Sequence, residues 1–108
     1  MKKIASATES TDYKIISFKS ISEKVIQWRE DGRSLVFSNG CFDLLHAGHV
    51  RYLQAASAFG DIFILGLNSD SSVRKLKGPS RPFMTQADRA FLLSAMEAID
   101  CVVIFEEE

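Results

Sequence analysis

Apolar positions along the chain follow two alternating spacings. Ile21, Val25 and Trp28 recur at helical intervals. Ser20, with Glu23 three residues later, predicts an N-cap and capping box for that helix, and Gly32 supplies its stop. "SLVFS" (34–38) is a short continuous apolar run, better read as a buried strand than as a helix. A second helix is expected from about Ala47 to Phe59, with Val50, Leu53 and Ala56 or Ser57 facing inward and Gly60 closing it. "DIFILGLN" (61–68) predicts a second buried strand. Residues 69–84 mix turn formers with cations and suggest a loop holding one short helical turn. Thr85 caps a third long helix with Asp88 in its first turn, running to about Ala98, and "CVVIF" (101–105) is a third buried strand.

Strands alternating with helices imply an α/β fold with a parallel, Rossmann-like sheet and right-handed crossovers. Three strands joined this way predict the spatial order 3-2-1, one half of a doubly wound sheet. Residues 1–13 are polar and aperiodic and are expected as a flexible tail, leaving 14–108 as the domain. Phe18, Trp28, Phe59, Phe63 and Phe91 are explained by core packing.

Composition narrows the classes of function. The chain has 108 residues, 46% hydrophobic and 25% charged, with a formal net charge of −1. That is room for one domain, and no global basic field argues for nucleic acid or an acidic membrane surface. No apolar run is long enough to span a bilayer, and no h-region follows the basic N-terminus. Cys41 and Cys101 make neither a metal-type pair nor a disulfide framework, which suits the cytoplasm.

The chemistry concentrates in "NGCFDLLHAGHV", residues 39–50, where both histidines of the chain lie three residues apart. In an open parallel sheet, ligands bind beyond the carboxyl ends of the strands. Gly40 allows a sharp turn and close approach, and the N-terminus of the next helix favours a phosphate. His46 and His49 share one side of that helix, with Gly48 between them leaving room for a nucleotide at the backbone. A metal site would need more ligands than Cys41 and Asp43 add. A Cys41–His nucleophile pair and purely structural histidines are the other readings. Neither a P-loop nor a dinucleotide fingerprint is present.

"GCFDLLHAGH" resembles the H-x-G-H signature of the nucleotidyltransferase superfamily. The longer stretch "LNSDSSVRKLKGPSRPFMTQADRAFLLSAMEAIDCVVIFEE" is similar to the adenylyltransferase domain of ADP-heptose synthesis, which also forms the C-terminal half of a bifunctional heptose kinase/adenylyltransferase. The resemblance covers roughly residues 15–108. It implies transfer of AMP from ATP to a sugar 1-phosphate with Mg²⁺ and release of pyrophosphate, in lipopolysaccharide core synthesis. His46 and His49 would donate to phosphate oxygens, and backbone amides near Cys41 and Phe42 would hold the triphosphate. Asp43 either orients this loop or serves a local turn. Residues 70–89 carry five cations against Asp70 and Asp88 and leave the carboxyl end of the second strand, so they can overhang the cradle. By family similarity Lys77 is the phosphate-contacting lysine, Lys75 the alternate and Arg89 a weaker candidate. A cytidylyltransferase for glycerol phosphate or another alcohol phosphate, or a non-catalytic nucleotide-binding module, are the rival readings.

Relatives in this superfamily carry further strands and a Ser-Thr-Thr stretch that this chain does not show. The expectation is therefore a truncated domain, inactive or weakly active alone. It would self-associate into a homo-oligomer through the exposed "SLVF" edge.

Overall fold

The computed structural model describes residues 10–106. Strands β1 (Leu35–Gly40), β2 (Ile62–Asn68) and β3 (Cys101–Phe105) form one parallel sheet in the order β1-β2-β3, as the crossover argument required. Register pairs Leu35 with Ile62 and Ile64 with Cys101. Helices α1 (Phe18–Glu30), α2 (Ala47–Ser57), α3 (Asp70–Lys77) and α4 (Gln86–Ser94) complete the described chain.

Two faces of the sheet are buried differently. On one, Phe63, Leu65, Leu67 and Val102 pack with Leu53 of α2 and Ala90 and Leu93 of α4. On the other, Ile62, Ile64, Cys101 and Val103 meet Ile21, Val25 and Trp28, the stripe expected for α1. That helix covers only part of its face. Beyond it lies an open apolar hollow of about 260 Å³, lined by Phe18, Phe37 and Phe105 among others.

Several boundaries differ from the sequence reading, each for a local reason. Helix α1 starts at Phe18 because Ser17, and not Ser20, is its N-cap; the Ser17 hydroxyl accepts from the Ser20 amide. Residues 1–9 of the expected tail lie outside the described residues. Asp12–Lys14 instead form a 3-10 turn, Thr11 is hydrogen-bonded to Ser94 at 2.7 Å, and Ile15 bridges to Val102. The expected loop after β2 holds a helix of 8 residues, α3, capped by Ser69 and stopped at Gly78, whose φ is +108°. Strand β1 is not a buried strand. Among the described residues it has only β2 beside it, and Phe37 is 57% exposed. Of the aromatics assigned to the core, Phe63 is fully buried and Trp28 partly, whereas Phe18, Phe59 and Phe91 are exposed.

The ends of β1 and β2 are tied before the site begins. The Ser34 amide donates to the Asp61 carboxylate at 2.9 Å, and the Asp61 amide donates back to the Ser34 hydroxyl at 3.0 Å. Hydrogen bonds from the Ser34 amide and hydroxyl hold the Asp61 carboxyl below its usual range.

Candidate active site

The β1–α2 loop carries the residues singled out by sequence. At its start, Gly40 is required for a contact within the chain: a Cβ there would come within 3.0 Å of the Phe42 ring. Phe42 itself is buried and sits at φ +50°, a left-handed conformation uncommon for a bulky residue. Its ring meets His49 edge-on, with centroids 5.4 Å apart. The loop backbone is therefore folded around its own aromatic side chain, which sets the position of His49.

The two histidines form a reciprocal cap at the start of α2. His46 is the N-cap; its Nδ1 accepts from the Gly48 amide at 3.0 Å, while His49 Nδ1 accepts from the His46 amide at 3.2 Å. A nitrogen that accepts a hydrogen bond carries no proton, so each neutral ring holds its hydrogen on Nε2. The rings stack at 3.9 Å. Gly48 serves this geometry: a Cβ there would sit 2.9 Å from the His46 ring. Gly48 itself is exposed beside that imidazole. Desolvation first, then the charges of His46 and Lys77, lower the His49 pKa below its ordinary 6.5 and favour the neutral, Nε2-protonated ring.

An open cavity of about 390 Å³ lies at the carboxyl end of β1. Gly40, Cys41, Phe42, Asp43, His49 and Lys77 line it, together with Asn39 and Tyr52. Lys77, in the last turn of α3, thus reaches the same space as His49 from a different element. His46 is exposed beside the cavity and joins it only through its stacked partner. Lys75 is exposed and is not part of the wall.

Asp43 and Arg89 turn out to shape the site from behind. The Asp43 carboxylate accepts from Arg81 Nε at 2.9 Å, from the Phe83 amide at 2.8 Å and from the Met84 amide at 3.0 Å. Arg81 also donates to the Asp43 carbonyl and lies over the Phe83 ring at 4.5 Å. Burial alone would raise the Asp43 pKa; the donors from Phe83, Arg81 and Met84 outweigh it and hold the carboxyl below its usual range. Asp43 thereby clamps the segment after α3 onto the β1–α2 loop. Arg89 is fully buried and donates to the carbonyls of Met84, Cys41 and Asn68 and to the Asp70 carboxylate. Its expected place as a direct nucleotide contact is corrected: the guanidinium is enclosed by protein and supports the loop from below. No local sequence feature separates a buried helix arginine bonded to backbone carbonyls from one that faces a ligand.

Tyr52 and Asn39 also line the cavity, and no motif in the sequence marks them. Tyr52 follows His49 by three residues on α2, and that spacing alone places both on one helix face. The site contains no cluster of three His, Cys, Asp or Glu side chains suited to a metal ion, and none occurs elsewhere among the described residues.

A family model described as cytidylyltransferase-like matches residues 37–108. The chain is 60% identical over 95 residues to the bifunctional protein HldE of Wolinella succinogenes, covering 88% of this chain and 20% of that protein. It is 55% identical over 105 residues to the HldE of Sulfurimonas denitrificans, covering 96% of this chain and 22% of that one. The chain thus spans about a fifth of the length of the curated relatives it matches. Among solved structures, the lipopolysaccharide core biosynthesis protein from Thermoplasma volcanium superposes with a TM-score of 0.62 at 28% identity, over 68% of this chain and 59% of that one.

Proposed function

The chain belongs to the cytidylyltransferase-like family, and from that premise we propose that it is an adenylyltransferase unit of ADP-heptose synthesis, moving AMP from ATP to heptose 1-phosphate. The observation that carries this reading is the convergence of His49, Lys77 and the 40–43 backbone on one cavity at the end of β1. High identity to HldE proteins supports the adenylyl and heptose assignments.

In this reaction an oxygen of the sugar 1-phosphate attacks the α-phosphorus of ATP. The bond to the bridging oxygen breaks, and pyrophosphate leaves with the electron pair. No protein nucleophile is needed, so positioning and charge stabilisation supply the catalysis. His49 and His46, whose Nδ1 atoms are taken by backbone amides, donate from Nε2 to phosphate oxygens. Lys77 neutralises the triphosphate, with Lys75 as a more distant cation, and amides near Cys41 and Phe42 support it. Asp43 acts as a positioning residue through Arg81. Mg²⁺ would travel on the nucleotide's phosphates as part of the substrate.

A second reading follows from the family's description: CTP as the nucleotide, with glycerol phosphate or a related alcohol phosphate as acceptor. We place the protein in the cytoplasm, where ATP and phosphosugars are available; among the described residues no helix is long and apolar enough to cross a membrane. The open β1 edge is expected to pair with a second copy of the chain.

The test is product formation. Chain, Mg²⁺ and heptose 1-phosphate are incubated with ATP or CTP, and nucleotide-sugar is resolved by chromatography. ADP-heptose is the expected product. CDP-linked product would replace the adenylyl reading by the cytidylyl one, and nucleotide binding without either product would make this chain a binding module.

A further inference from the structure

Resting on the nucleotidyl-transfer reading above, we propose that Tyr52, anchored by Ser38, is the wall of the cavity that reads the hydroxyl groups of a sugar.

The cavity has two chemically different sides. His49 and Lys77 present donors and positive charge, which match phosphate oxygens that only accept. Tyr52 carries no formal charge on this wall, and its hydroxyl both donates and accepts. An accepting atom is wasted on a phosphate. A sugar hydroxyl, which donates and accepts at once, uses both capacities.

Spacing fits the same division. Tyr52 lies three residues after His49 on α2, a rise of about 4.5 Å along the helix axis. A phosphate held at His49 therefore places its attached sugar beside the phenol. The Tyr52 hydroxyl is 3.0 Å from the Ser38 hydroxyl on β1. That bond fixes the ring yet leaves further hydrogen-bonding capacity on the phenol oxygen, which has one hydrogen and two lone pairs. The ring is 57% exposed, so its flat apolar face is also available to the C–H face of a sugar.

Sugar hydroxyls could come from the ribose of the nucleotide or from the acceptor, and the test separates them. Dissociation constants for tripolyphosphate, ATP, 2′-deoxy-ATP and heptose 1-phosphate are measured by NMR titration of the wild-type chain, Tyr52→Phe and Ser38→Ala. Tyr52→Phe should weaken a sugar-bearing ligand by about 3- to 10-fold, the loss of one hydrogen bond, with tripolyphosphate unchanged. A loss for ATP that vanishes with 2′-deoxy-ATP assigns the contact to ribose; a loss for heptose 1-phosphate assigns it to the acceptor. Ser38→Ala should show a smaller loss on the same ligand, because the phenol remains but is no longer anchored. Unchanged constants for every ligand in Tyr52→Phe would overturn the proposal. So would equal weakening of all ligands, tripolyphosphate included, with a lowered Tm in both variants; the Tyr52–Ser38 bond would then be only a tie between α2 and β1. If the wild-type chain binds none of these ligands, the nucleotidyl-transfer reading itself fails, an outcome visible without any variant.

Discussion

The Nδ1 atoms of His46 and His49 are occupied by backbone amides, so their Nε2–H groups are the donors left for a ligand. This gives the site a direction of pH dependence. The folded pKa of His49 is lowered, so its neutral form is the one the fold prefers. Its contribution to stability is fully present above the ordinary value of 6.5 and is lost as pH falls through the folded pKa. Protonation puts a hydrogen on Nδ1, facing the His46 amide, and removes one cap of α2. Following the His49 ring shift against pH should give a midpoint below 6.5; a midpoint at or above it contradicts the burial and charge argument. Lys77 and Lys75 separate two roles that residue type alone does not. Both sit in the last turn of α3, where cations already complement the helix dipole. Only Lys77 lines the cavity. Lys77→Ala should therefore weaken ATP binding about tenfold or more, the loss of one charge-assisted contact, while Lys75→Ala stays within about twofold. Equal losses from both would mean a general basic field and no specific contact.

Helix α2 shows how a glycine can be required where a helix former is usually preferred. Ala for Gly inside a helix ordinarily stabilises by about 1 kcal/mol. At Gly48 the added Cβ would press on the His46 ring at 2.9 Å and push it off its cap. Gly48→Ala should therefore destabilise, by about 1 kcal/mol, measured by urea unfolding. A stabilised variant would show that the His46 cap contributes little. The other elements show what sequence could and could not reveal. The period of Ile21, Val25 and Trp28, the apolar runs of β2 and β3, and the Thr85 cap were all readable, because each is a local pattern with one packing solution. The start of α1 was not, since Ser17 and Ser20 are equally good caps and their hydroxyls are mutually bonded at 2.9 Å. Nor was α3: its strongly polar 8 residues hide two buried positions, Ser72 and Val73. Arg89 lies on the expected helix, but its partners are not legible in sequence, because its four acceptors come from residues 41, 68, 70 and 84, which only the fold brings together.

At the scale of the whole molecule, an open strand edge and an apolar hollow lie side by side among the described residues. The edge is that of β1, and Phe18, Phe37 and Phe105 bound the hollow. Unpaired strand groups next to apolar surface are a template for a second chain. A two-fold pairing would bury both at once. Sedimentation should show a concentration-dependent dimer, and Phe37→Lys should shift it to monomer, with the two Tm values equal at concentrations low enough that both chains are monomeric, as Phe37 is more than half exposed. A chain that stays monomeric at every concentration would rule out this pairing.

The two cysteines divide this molecule into parts that a thiol reagent can time. Cys41 lies on the cavity wall, whereas Cys101 is fully buried at the start of β3, its thiol pushed up to about 11 by burial and by Asp100. A buried, protonated thiol does not react until the sheet around it opens. In a two-step labelling record, the fast phase should belong to Cys41 and slow when ATP occupies the cavity. The slow phase should belong to Cys101, and its rate relative to a free thiol measures how often the sheet opens. The same trace thus reports occupancy of the site and breathing of the fold, and equal rates at both positions would show that β3 is not sealed.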